Sequence, residues 1–190
     1  MSLTHLPHVQ RPHPDLRARR WVWGCLQRHN VREDVICAIT ARCRFVIDDW
    51  ENFSGGGGCT HMDPPHRMIV RLNGRQDEAC VHECAHVYRH ILIEQGEWDA
   101  AGIVGAMQAE SEAAPGDYPR IRQLCRDYRW GVGDWSGMMT ASGWNDSEIW
   151  AGLASGSMGD MSLYPPRLRR LYAQFYDDLP GPMAAVVAVP

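Results

Sequence analysis

The chain has 190 residues, 45% hydrophobic and 22% charged, with a formal net charge of −4. That length allows one domain with its own core. It holds no apolar run near the ~18 residues of a membrane span and no charged-then-apolar secretory start. The net acidity argues against general nucleic-acid binding, although residues 11–44 are locally rich in Arg.

Residues 1–14, with His5, His8, His13 and three Pro, read as an irregular arm, and 15–190 as a single domain. "DLRARRWVWGCLQRHN" spaces Leu16, Trp23 and Leu26 as a helix does, with Asp15 as its cap. "VREDVICAITARC" predicts a second, short helix and "RFVIDD" a strand. "ENFSGGGGCTHMDPPH" reads as loop throughout, because Gly and Pro crowd it. "RMIVRL" is rich in β-formers and predicts a strand. After an Asn-Gly turn, "RQDEACVHECAHVYRHILIEQG" predicts a long helix ending at Gly96. Further helices are expected in "WDAAGIVGAMQAESEAA", "YPRIRQLCRDYRWG", "NDSEIWAGLASG" and "YPPRLRRLYAQFYDDL", the last with Pro at its start. The fold class is therefore α+β and mainly helical.

The long helix carries the chemistry. His82 and His86 stand four residues apart, so their rings lie one above the other on one face. Two imidazoles placed so can grip one zinc ion, and Glu83 flanks the same face as a general base for metal-activated water. This is the HExxH arrangement. His90 is not expected to join, since the helix rises about 12 Å between His82 and His90. Cys80 and Cys84 lie on a different row from the two histidines, which sets aside a Cys/His structural zinc site on this helix.

A third ligand must come from elsewhere. Glu94 and Glu97 lie at the far end of the same helix and Asp99 just beyond it, so none folds back easily. Glu148 has the best setting. It lies in the first turn of a helix after Asn145, Asp146 or Ser147 as cap. Ala151, Gly152 and Ser155 share its face, and small residues there let two backbones approach. Glu110 and Glu112, at the end of another helix, are the alternative.

"HECAH" together with "SEIWAGLASG" and the Pro-led "YPPRLRRLYAQFY" resembles the zincin metallopeptidases of gluzincin kind. The likeness is to anthrax-lethal-factor-like and phage- or toxin-associated peptidases, and it spans roughly 68–176. Metzincins are excluded, since Arg89 and Leu92 stand where that family needs Gly and a third His. The resemblance implies a zincin-like domain with a small sheet on the HExxH helix. It also implies a zinc ion held by His82, His86 and Glu148, with Glu83 as catalytic base. A protein or peptide substrate would pair with "RMIVRL" as edge strand. Tyr118 or Tyr164 would be the candidate for a tyrosine steadying the transition state. Other readings are an HExxH regulator of the radiation-response or antirestriction type, which favours Glu110 or Glu112, and a non-enzymatic zinc-stabilised module. A delivered toxin or effector is a setting for the same hydrolysis. The chain has no Lys, which fits that setting through avoidance of lysine tagging and fits a GC-rich genome better.

Overall fold

The computed structural model describes residues 14–48, 58–63, 67–114, 116–130 and 146–177. Apart from Pro14, the expected N-terminal arm lies outside them. Helix α1 (Pro14–Arg28) begins on that proline, whose missing N–H costs nothing at a first helical position. Asp15 consequently sits inside the first turn instead of capping it. Helix α2 (Glu33–Arg42) turns Val35, Ile36 and Ile39 inward and runs directly into strand β1 (Cys43–Asp48).

Strands β2 (Gly58–Asp63) and β3 (Arg67–Asn73) complete a three-stranded sheet of order β1-β3-β2. β1 runs parallel to β3, opposing Phe45 to Val70 and Ile47 to Leu72. β2 runs antiparallel to β3, opposing Gly58 to Leu72 and Thr60 to Val70. Phe45, Val70 and Leu72 are buried, so the pleat turns these three side chains to the helices.

Two expectations are corrected here. Residues 58–63 are a strand and not loop, and "RMIVRL" is the central strand and not an edge. Both have one cause. A β-rich segment offers hydrogen-bonding groups on two sides, and nothing in its own residues says how many are taken. The glycine-led segment before it is held by pairing to β3, which local propensity does not register.

Helix α3 (Asp77–Gln95) packs against β2 and β3 on one side and α6 on another. It stops at Gly96, whose φ of 73° lets its N–H and that of Glu97 bond back to the last turn. Helix α4 (Ala100–Glu112) is capped by Asp99, which accepts from Gly102 N at 2.8 Å. Helices α5 (Pro119–Trp130), α6 (Asp146–Ser157) and α7 (Pro166–Tyr172) follow.

Helix α6 is the axis of the molecule, since every residue from Ile149 to Ser157 is buried. A helix apolar all round belongs inside. Three tyrosines grip it from one side: Tyr172 donates to Trp150 O, Tyr164 to Leu153 O and Tyr176 to Ala154 O, each at 2.8 Å. Trp150 stacks on Tyr172 at 4.5 Å, and Tyr172 on Tyr164 at 4.6 Å. The expected closing helix over 164–179 is thus cut to 166–172. Beyond it, Phe175 O accepts from Arg32 N and Asp177 N donates to Asn30 O. Those bonds to the α1–α2 junction draw the backbone out of the helix. No helix among the described residues is long and apolar enough to cross a membrane.

Candidate metal centre

His82 and His86 lie on the face of α3 that meets the first turn of α6. Their Nε2 atoms stand 3.1 Å apart. Glu148 arrives from α6, with Oε2 at 3.3 Å from His82 Nε2 and Oε1 at 3.3 Å from His86 Nε2. The three side chains are close enough to hold one metal ion. Zinc bonded to nitrogen and oxygen at about 2.0–2.1 Å sets tetrahedral ligand atoms about 3.3–3.4 Å apart. The observed separations match those edges, with the carboxylate straddling the two rings. A second group close enough for a metal lies at Cys25, His29 and Asp77.

Burial alone would raise the Glu148 carboxyl. Hydrogen bonding and charge attraction at His82 and His86 outweigh it and hold the group well below the usual carboxylate range. Glu148 is therefore an anion facing two imidazoles. Glu83, next to His82 in the chain, is buried at 6% exposure.

The remaining proposed ligands are spent elsewhere. Glu94 pairs with Arg42, Glu110 accepts from Arg122 and Glu112 from Gln108. Asp99 caps α4, and His90 is half-buried further along α3. Tyr164 is corrected as a transition-state candidate: it is fully buried, with its hydroxyl on Leu153 O and beside Ser157 Oγ. Tyr118 and Tyr164 share a groove against Pro166, Arg169, Arg170 and Ala173, with none of the three clustered residues on its walls.

The parts that hold the cluster were not picked out from the sequence. Ser147 Oγ lies 2.9 Å from His86 Nδ1, fixing the ring from behind. Asp146 Oδ2 accepts from Arg89 Nε and Nη2 at 3.0 and 2.7 Å and from Trp98 Nε1 at 2.9 Å. The Arg89 guanidinium also covers the Trp98 ring, 5.0 Å from its centroid. One turn further, Trp150 Nε1 donates to Ala85 O at 3.0 Å. Asp146 and Trp150 thus tie the first turn of α6 to α3 on either side of Glu148. The run Asp146-Ser147-Glu148 reads in sequence as a helix start, and each of its side chains faces α3. The signal was there in the acidic first turn, but capping explained it equally well.

No known protein family matches the chain, and no curated protein or solved structure matches it either.

Proposed function

We propose that the chain is a zincin-like, zinc-dependent peptidase. The single observation that carries this is the convergence of His82, His86 and Glu148 with ligand-atom separations of 3.1–3.3 Å, on a helix that also carries buried Glu83. The donor set suits zinc: two imidazoles and one carboxylate are the ligands of an open, catalytic type of site. When bound there, zinc supplies a Lewis acid that polarises a carbonyl and makes water acidic near neutral pH.

The chain's own residues do the rest. His82, His86 and Glu148 bind and orient. Ser147 holds the His86 ring, and the Asp146–Arg89–Trp98 contact keeps Glu148 in reach. Glu83 takes the proton from the attacking water and hands it to the leaving nitrogen, so the peptide bond breaks to a carboxylate and an amine. With β3 central, β1 and β2 are the sheet's edges among the described residues, and β2, which packs on α3, is the edge we assign to an extended peptide.

The test is Glu83→Gln on zinc-loaded protein, challenged with a peptide library read by mass spectrometry for new termini. Cleavage by the parent chain and none by the variant, with equal zinc content, is the expected result. Cleavage by both, or a parent zinc site closed by a fourth protein ligand, overturns the reading in favour of a structural module.

A further inference from the structure

We propose that the groove between α1 and α2 is a binding site for a small amphiphilic anion, an aryl or alkyl body that carries one acidic group. Arg19, Arg20 and Trp23 line it from α1, and Cys37, Thr40 and Ala41 from α2. Residues 19, 20 and 23 share one face of their helix, and 37, 40 and 41 one face of theirs. The space between these faces has a volume of about 450 Å³, within the roughly 300–1,000 Å³ of small-molecule pockets. None of the metal-centre residues lies on it.

The polar chemistry of the walls is one-sided. Arg28, Arg32 and Arg42 each pair with a carboxylate, on Asp77, Asp34 and Glu94 in turn. Arg19 and Arg20 are exposed, and neither has a carboxylate partner among the described residues. Two guanidiniums on one groove repel each other, and an anion bound between them relieves that repulsion. Trp23 packs against the core, and its indole N–H has no acceptor among the described residues. Thr40 Oγ1, the one hydroxyl on the walls, already donates to Ile36 O at 2.8 Å. No acid lines the groove. Apart from the weakly bonding thiol of Cys37, every side-chain polar group left to bond is a donor. Such a lining selects an acceptor-only head: carboxylate, sulfonate or phosphate.

The indole of Trp23 and the short side chains of Cys37 and Ala41 supply apolar contact for the body of the ligand. Both walls are helices, whose backbone groups are bonded internally. They offer no ladder to an extended peptide. A nucleobase would bring donors that no free acceptor on these side chains meets, and a flat bilayer would touch only the rim.

Anilinonaphthalenesulfonate is an aryl anion of this class, and N-phenylnaphthylamine is its body without the charge. Cys37 is the one exposed thiol among the described residues, and it reports occupancy from the wall of the groove. The full chain is alkylated with iodoacetamide, with and without each probe, and the rate at Cys37 is read by mass spectrometry. The sulfonate is expected to slow that rate, and the neutral probe to bind about 10-fold more weakly or worse. Replacing both arginines, Arg19→Gln with Arg20→Gln, should weaken the sulfonate by about 10-fold or more and leave the neutral probe unchanged. Ala41→Trp, at an exposed position, fills the groove and should remove protection by either probe. Equal Cys37 rates with and without saturating sulfonate overturn the site. So does undiminished affinity in the folded double arginine variant, or equal protection by the neutral probe. Protection by vesicles of phosphatidylcholine and phosphatidylserine, with none by the sulfonate, overturns it in favour of a membrane surface. None of these readings involves peptide cleavage.

Discussion

Replacing Asp146 by Asn tests whether the first turn of α6 is held by charge. The change preserves shape and removes the negative charge from an oxygen that accepts three N–H groups. Asp146 and Arg89 are both largely shielded, at 21% and 17% side-chain exposure. The surface-pair figure of under about 1 kcal/mol therefore understates the contact. A charge-assisted hydrogen bond contributes about 1.5–3 kcal/mol. An amide oxygen still accepts some of the same donors, so roughly half is lost, about 1–2 kcal/mol. At about 2–4 °C per kcal/mol for a chain of this size, Tm falls by roughly 2–8 °C. Urea unfolding of Asp146→Asn, Arg89→Gln and the double variant gives the coupling, expected at about 1 kcal/mol or more. Since Glu148 sits two residues on, zinc affinity at the His82–His86 site should fall about 10–100-fold, as for other groups that orient metal ligands. A coupling of only a few tenths of a kcal/mol refutes the latch. Full coupling with unchanged zinc affinity keeps the latch and removes its role in placing Glu148.

Two glycines should respond to alanine with opposite signs. At Gly159, φ is +80° and an added Cβ would lie 1.9 Å from His29 O, a backbone atom that cannot swing aside. Gly159→Ala should destabilise by more than the about 1–2 kcal/mol of the left-handed conformation alone. At Gly105, inside α4, the same Cβ meets nothing within 4 Å. Gly105→Ala should stabilise by about 0.5–1 kcal/mol, and denaturant midpoints of the two variants check both. The third expectation concerns alkali. Burial raises the Cys125 thiol from 9.0 to about 12 in the folded chain. Between those values the unfolded chain has released that proton and the folded chain has kept it, so stability falls as pH rises from 9 towards 12. Cys125→Ala should flatten this decline in unfolding curves recorded across that range. An unchanged slope would show that the thiol is not shielded as described.

The helices were legible because each carries its own period and its own punctuation. Gly96 ends α3 in sequence and in space, and Asp99 starts α4. The three-residue cluster was legible for a related reason. His82 and His86 share a helix, and the small residues after Glu148 announce a close helical partner. What failed was pairing between distant segments. The Gly-rich stretch before β3 carries every local sign of a loop. It becomes strand β2 because β3 has a free side, which is a property of the sheet and not of residues 58–63.

The same limit shaped the reading of the cysteines. Cys80 and Cys84 were weighed only against the histidines of their own helix, where the rows do not match. Cys80 is instead fully buried, and the α1 thiol of Cys25 donates to Asp77 O in the first turn of α3 at 3.8 Å. A helix has several faces, and α3 uses three of them. One turns His82 and His86 to Glu148, one packs on the sheet, and one sets Asp77 against the end of α1. Spacing within a helix states which residues share a face. Which neighbour that face meets depends on buried anchors far along the chain, here Trp150 on Ala85 O and Met158 O on His29. Periodicity therefore yields half of each site, and the other half arrives with the tertiary fold.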